Sequence, residues 1–170
     1  MKIFLIGLSG SGKTTLGKQL AQVLQVPFID MDWEIEKREN KSVKEVFAQQ
    51  GEDYFRQLEA TVLRDWAASL ENFVMGTGGG APCYYNGMAI IKGAGLSIFF
   101  DVPVAELNSR LQHATDRPLL NSGDEADREN KLHALLQARL PIYKQADITI
   151  ENPTLEKLVN AIQLKGKSES

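Results

Sequence analysis

The sequence contains few of the residues that form disulfides, metal clusters or membrane spans. Its single cysteine, Cys83, excludes an intramolecular disulfide and favours a reducing compartment. The two histidines, His113 and His133, lack the spacing of a metal site. No apolar run approaches the about 20 residues that cross a bilayer, and a net charge of −3 provides no bulk attraction for nucleic acid. We therefore expect a cytoplasmic protein without a membrane or nucleic-acid partner.

The composition is that of a globular protein. With 170 residues, 43% of them hydrophobic and 24% charged, the chain is long enough to bury a real core. We expect a monomer in which residues 1–170 form one domain. Short apolar runs are typical of strands, at 2–6, 27–30, 73–75, 96–101 and 147–150.

Helical patterns alternate with these runs, which favours an α/β three-layer sandwich, a five-stranded parallel sheet flanked by helices. One helix is predicted over about 124–145, because Ser122 and Glu125 have capping-box spacing. Pro141 is expected to kink or interrupt it, and residues 165–170 are interpreted as a frayed tail. Ligands of such sheets bind beyond the carboxyl ends of the strands.

A phosphate-binding loop follows the first predicted strand. The segment 7-GLSGSGKT-14 satisfies G-x-x-x-x-G-K-[ST], in which backbone N–H groups surround phosphate oxygens. Lys13 is expected to reach the outer phosphates and the Thr14 hydroxyl to bind Mg²⁺. A chance glycine-rich turn is the alternative, but a strand before the loop and an amphipathic helix after it disfavour that interpretation. The motif predicts a nucleoside triphosphate site and leaves the phosphoryl acceptor open.

Two aspartates end the second predicted strand, in 28-FIDMDWEIEKR-38. Residues i and i+2 of an extended chain share a face, so Asp30 and Asp32 can both point toward the phosphates. One can hold Mg²⁺ through water while the other accepts a proton from an attacking hydroxyl. Alternatively, the aspartate before WEIEK caps the following helix.

Two arginines occupy apolar helical stripes. Arg139 shares a face with Leu132 and Tyr143, and Arg56 lies at the edge of the stripe that contains Phe55. A buried arginine needs an anionic partner. That partner can be internal, Glu52 or Glu59 for Arg56, or the side chain can reach water. Together, two guanidinium groups can instead bind a small carboxylate.

Two further segments are unusual for a compact domain. Three consecutive glycines, 78–80, follow the strand at 73–75, and their ordering is entropically costly unless something approaches the backbone closely. The polar segment 113–127 can close over ATP and bring Arg117 to the transferred phosphate. The alternative for this segment is a solvated connection with an ordinary surface arginine.

In combination these segments resemble the shikimate kinases, within the nucleoside-monophosphate-kinase-like (NMP-kinase-like) group of P-loop proteins. From Ile3 to about Pro153 the family's order and approximate spacing are kept by GLSGSGKTT, FIDMDWEIE, GEDYFR, TGGG, DRPLL and RLPIYKQAD. TGGG and R-x-P-x-Y-x-x-A-D distinguish this family from other P-loop kinases, many of which share the first motif. The resemblance implies an NMP-kinase-like fold with a mobile lid over about 113–125. It also implies Mg²⁺-dependent transfer of the ATP γ-phosphate to the 3-hydroxyl of shikimate, a step toward aromatic amino acids.

The resemblance assigns roles residue by residue. Shikimate would be held by Asp32, Arg56, Gly79 and Arg139, with the two arginines on its carboxylate. The catalytic residues would be Asp32, Lys13 and Arg117. Thr14 would bind Mg²⁺, and Asp30 would reach the metal through water. ATP would be bound by Gly10, Ser11, Gly12, Lys13, Thr14, Thr15, Arg117, Arg110 and Pro153, the last two beside the adenine.

The chain departs from the family pattern at Gly76 and Thr77, where Ala-Thr is more usual. Two rival functions remain. Gluconate kinases also phosphorylate a hydroxylated carboxylate, but they lack the TGGG and R-x-P-x-Y segments. A catalytically silent ATP-binding module is disfavoured because Lys13, Thr14, Asp32 and Arg117 are all present.

Overall fold

A computed structural model describes residues 1–112 and 124–168. The strands are β1 (Lys2–Ile6), β2 (Phe28–Asp30), β3 (Phe73–Gly76), β4 (Leu96–Asp101) and β5 (Ile148–Glu151). The helices are α1 (Lys13–Leu24), α2 (Met31–Glu39), α3 (Val43–Gln50), α4 (Glu52–Ala68), α5 (Gly87–Ala94), α6 (Val104–Leu111), α7 (Glu125–Tyr143) and α8 (Leu155–Ser168). A short 3₁₀ turn covers Ala81–Cys83. Within these residues, no helix combines the length and apolarity needed to cross a bilayer.

The five strands form one parallel sheet in the order β2-β3-β1-β4-β5, which confirms the predicted architecture. The central strand β1 is buried on both faces because alternate side chains point to opposite sides. Phe4 and Ile6 belong to one apolar cluster, whereas Ile3 and Leu5 belong to the other. The P-loop therefore leaves the central strand of the sheet, which fixes its position.

Details of the C-terminal half differ from the predictions. Helix α7 is capped by Asp124, whose side chain accepts a hydrogen bond from the Asp127 N–H; Ser122 lies outside the described residues. Pro141 does not end α7, because the backbone bond from Lys144 N–H to Leu140 O continues beyond it. Residues 165–168 of the segment predicted as a frayed tail form the last turn of α8, which runs to Ser168.

Candidate phosphoryl-transfer site

A cavity opens at the carboxyl ends of β1, β2 and β3. Its walls are residues 9–16, Asp30, Asp32, residues 76–79, Arg110 and Pro153. These residues come from five separate segments of the chain. The predicted ATP and metal residues within the described part of the chain all lie on this one surface, together with Asp32 and Gly79.

The P-loop is shaped as an anion cradle. Gly10 and Gly12 have φ of 84° and 97°, a left-handed conformation that side-chain-bearing residues seldom adopt. Gly12 caps α1 without a side-chain hydrogen bond, and the N-terminus of a helix attracts anions through its N–H groups and its dipole. Lys13 Nζ donates to the carbonyl oxygens of Gly7 at 2.7 Å and Leu8 at 2.9 Å. The ammonium group thus lies folded across the loop that would hold the phosphates.

Asp30 joins the P-loop to α2. One carboxylate oxygen accepts from the Trp33 N–H at 3.2 Å, and the other accepts from the Thr14 hydroxyl at 3.3 Å. Asp30 is therefore the residue that caps α2, rather than the Asp32 considered from the sequence. The cap uses one oxygen only. The second lies beside the Thr14 hydroxyl, and these two oxygens are of the hard type that Mg²⁺ prefers.

Asp32 lies in the first turn of α2 and faces the cavity. The prediction that Asp30 and Asp32 share one face of an extended strand is wrong, because the chain becomes helical at Met31. Both side chains nevertheless line the cavity. A cap and a first-turn residue can face the same side of a helix entrance, and the roles predicted for the two carboxylates stay predictions.

The three glycines 78–80 each face a charged side chain. A Cβ on Gly78 would overlap Glu59 Oε2, and one on Gly80 would overlap the Arg56 guanidinium. A Cβ on Gly79 would come within 2.9 Å of Arg139 Nη1. None of the three has a positive φ, so they are required by space and not by backbone conformation. The glycine row is where α4 and α7 bring their charges against the end of β3.

Arg56 and Glu59 form a buried ion pair on α4. They are 4% and 2% exposed, and Arg56 Nη1 lies 2.6 Å from Glu59 Oε1. Arg56 Nη2 also contacts Glu52 Oε1 at 3.3 Å, so the internal pairing anticipated from sequence is observed with both acids. Among residues 1–112 and 124–168, Arg56 Nε has no hydrogen-bond partner. Burial raises the pKa of Glu59 to about 7, although the adjacent Arg56 favours its charged form.

Tyr143 and Arg139 reach the glycine row from α7. Both are buried, and the Tyr143 hydroxyl donates to Gly79 O at 2.5 Å. The Tyr143 ring packs on Phe99 with centroids 5.1 Å apart. Burial raises the pKa of Tyr143 well above its usual value, so the hydroxyl stays protonated and acts as a donor. The sequence indicated Tyr143 only as part of an apolar stripe, and its hydrogen bond to the glycine row was missed.

The arginines and the cavity are adjacent but separate in this structure. Asp32 and Gly79 line the cavity, whereas Arg56 and Arg139 lie beside Gly79 and Gly80 and are not among its walls. The cavity and the arginines are linked electrostatically through Glu59. Burial is the main cause of its raised pKa; the Asp32 carboxylate raises it further, and the Arg139 guanidinium lowers it. The two guanidinium groups thus flank the glycine row, Arg139 at Gly79 and Arg56 at Gly80.

Arg110 and Pro153 complete the wall of the cavity. Arg110 Nη1 donates to Gly10 O at 2.8 Å, and Pro153 joins the wall from the loop after β5. These two residues, which are predicted to flank the adenine, thus line the same cavity. Arg117 and most of the predicted lid lie outside the described residues.

Comparison with known proteins agrees with this geometry. The family model described as shikimate kinase matches residues 9–164. A curated shikimate kinase of Bacteroides fragilis is 43% identical over 148 residues, which cover 86% of this chain and 82% of that protein. The solved shikimate kinase from Acinetobacter baumannii, in complex with shikimate, superposes with a TM-score of 0.91 at 32% identity, covering 98% of this chain and 93% of that one. The solved shikimate kinase from Bacteroides thetaiotaomicron gives 0.89 at 37% identity, with 98% of each chain covered.

Proposed function

The chain belongs to the shikimate kinase family, and we propose that it transfers the γ-phosphate of ATP to the 3-hydroxyl of shikimate, giving shikimate 3-phosphate and ADP. Membership of this family places the enzyme in the pathway to aromatic amino acids. One observation supports the choice of acceptor most strongly. The buried charges of Arg56, Glu59 and Arg139 meet at the glycine row, directly beside a P-loop cavity.

The ATP phosphates are proposed to lie in the loop of residues 7–12, against the N-terminus of α1. Lys13 would exchange its bonds to Gly7 O and Leu8 O for phosphate oxygens, which as charged acceptors make stronger hydrogen bonds. Ser11, Gly12 and Thr15 line the same stretch. The adenine is proposed to lie between Arg110 and Pro153, which both line the cavity.

The Thr14 hydroxyl and the Asp30 carboxylate fit a Mg²⁺ ion. They are hydrogen-bonded to each other on the cavity wall, and Mg²⁺ commonly takes one or two protein oxygens together with waters and substrate phosphates. Thr14 and Asp30 would hold such an ion where it could neutralise phosphate charge during transfer. Because one Asp30 oxygen is used in capping α2, the other is held in place, facing Thr14.

Asp32 is proposed to accept the proton of the substrate hydroxyl. The hydroxyl oxygen attacks the γ-phosphorus, the bond from that phosphorus to the bridging oxygen breaks, and the electron pair leaves with ADP. The proton moves to the Asp32 carboxylate, which lines the cavity next to Gly78. Arg56, Arg139 and the Gly79 N–H are proposed to hold the substrate carboxylate, and thereby aim the hydroxyl at the phosphate.

Three further properties of the protein are proposed. We propose a monomer and a cytoplasmic location, where ATP is available and the single thiol of Cys83 stays reduced. We also propose that ATP and shikimate are its only ligands besides Mg²⁺. These statements rest on the composition and on the family.

Replacing Arg56 or Arg139 with alanine should weaken shikimate binding by about 1.5–3 kcal/mol each, roughly ten- to a hundredfold. Each side chain would donate charge-assisted hydrogen bonds to the substrate carboxylate, so ATP binding should hardly change. Calorimetric titration of shikimate and of ATP measures both effects. Arg38→Ala is the matched control, because Arg38 pairs with Asp65 at the surface, away from the cavity.

Arg56→Ala also removes the cation that pairs with the buried Glu59 on the same helix. An uncompensated buried charge lowers the stability of the protein. The double variant Arg56→Ala, Glu59→Gln removes that charge, and its shikimate affinity should remain as weak as that of the single variant. If the arginine variants lose affinity for ATP instead, the two arginines belong to the phosphate site.

A further inference from the structure

The aromatic ring of Tyr84 covers the guanidinium group of Arg56. Tyr84 directly follows the 3₁₀ turn Ala81–Cys83 that leaves the glycine row, and Arg56 Cζ lies 4.6 Å from the centre of its ring. We propose that Tyr84 is a positioning residue, which holds Arg56 in the orientation that receives the substrate carboxylate. This inference rests on the proposed function, because it assumes that Arg56 binds that carboxylate.

Arg56 needs such a support because its polar contacts act along the edges of the guanidinium, and the Phe55 ring is farther away, with its centre 5.5 Å from Cζ. Glu59 holds Nη1 and Glu52 holds Nη2, while Nε has no hydrogen-bond partner in the described part of the chain. The Glu52 side chain is 46% exposed, so its pair is screened by water and contributes little. Contacts along the edges do not prevent the planar group from tilting. A ring that packs face-on against the plane of the guanidinium does prevent tilting, and the ring also attracts the cation.

The backbone around Tyr84 is built to keep the ring in place. Gly80 lacks a side chain where the guanidinium passes. After Tyr84 the chain turns sharply, with left-handed φ of 49° at Tyr85 and 60° at Asn86, and the Gly87 N–H bonds to Tyr84 O at 2.9 Å. An aromatic residue rarely adopts a left-handed conformation, so this turn is held by its surroundings. The Tyr85 hydroxyl, bonded to Asp53 of α4, is one such restraint.

Burial in the core does not account for this contact. Tyr84 is 40% exposed, so its ring contributes less apolar burial than a core aromatic would. Arg56 beneath it is 4% exposed. The ring therefore separates a buried cation from water on one side, which strengthens the interaction of that cation with an entering anion.

Two substitutions of Tyr84 separate the contribution of its ring from that of its hydroxyl. Tyr84→Leu removes the aromatic face, and we expect the Kd of shikimate, titrated without nucleotide, to rise roughly three- to tenfold. The KM of ATP should change by less than about twofold. Tyr84→Phe keeps the ring and should restore shikimate affinity to within about twofold of the original. Arg38→Ala is the control here as well, because Arg38 pairs with Asp65 at the surface and makes no contact with the Tyr84 turn.

A double-mutant cycle tests whether Tyr84 acts through Arg56. In an Arg56→Ala background, Tyr84→Leu should have almost no further effect on the Kd of shikimate. The inference is overturned if Tyr84→Leu alone leaves the Kd unchanged, if Tyr84→Phe is as weak as Tyr84→Leu, or if the loss persists without Arg56. If Arg56→Ala itself leaves shikimate binding intact, the proposed substrate site fails, and that outcome is distinct from a failure confined to Tyr84.

Discussion

Replacing Asp32 with asparagine is expected to lower kcat by roughly 10²-fold or more, within the range of general-base effects. Asparagine keeps the shape of the side chain but cannot accept the proton of the attacking hydroxyl. The protein should remain folded, because an acid in the first turn of a helix contributes only about 0.3–1 kcal/mol. Steady-state kinetics and thermal unfolding of the same preparation measure the two effects.

Glu34→Gln is the matched control for Asp32→Asn. Glu34 is the other acid in the first turn of α2, but it contacts Trp66 and does not line the cavity. Both substitutions remove one negative charge from the same helix end, so a shared effect on the helix dipole appears in both. If Asp32→Asn keeps its turnover within a small factor of the control, Asp32 supports the helix and does not act as the base.

Replacing Arg117 with alanine is expected to reduce kcat by about 10³-fold, the lower end for arginines that contact a transferring phosphoryl group. Arg117 lies outside the described residues, and its proposed role rests on the DRPLL segment and on the chemistry of phosphoryl transfer. A contact formed mainly in the transition state lowers kcat when it is removed and leaves both KM values nearly unchanged.

Arg117→Lys should rescue this loss poorly, because an ammonium group cannot reproduce the planar, forked guanidinium. Arg38→Ala again serves as the control, since it removes a surface arginine that is paired with Asp65. Near-normal turnover in both Arg117 variants would indicate a passive connector. Charge in the transition state would then be stabilised by Lys13 and Mg²⁺ without this arginine.

The phosphate-binding end of the site could be predicted residue by residue because its chemistry is encoded in consecutive positions. Residues 7–14 combine glycines that reach left-handed φ, a lysine and a hydroxyl, and each needs only its neighbours to be interpreted. The sheet could be predicted for a related reason, since buried parallel strands appear as short apolar runs.

The part of the site proposed to bind the acceptor could not be predicted in the same way, because it is formed by contacts between segments that are distant in the sequence. Helical spacing indicated that Glu52 and Glu59 could both reach Arg56, but the burial of Glu59 is set by its packing against the end of β3. The glycine row was expected to let a ligand approach the backbone, and in the structure charged side chains from α4 and α7 approach it as well. Similarly, the exact start of α2 decided that Asp30, not Asp32, is the cap.

The rate of ADP release with several acceptors tests the proposed function most directly. The purified protein, with ATP and Mg²⁺, is assayed in parallel with shikimate, gluconate and a nucleoside monophosphate at equal concentrations. Two guanidinium groups beside the glycine row suit a ring carboxylate with a hydroxyl near Asp32, so shikimate should give the fastest release and yield a phosphorylated product. Faster release with gluconate or with the nucleotide, or equal release with no acceptor added, would contradict this account.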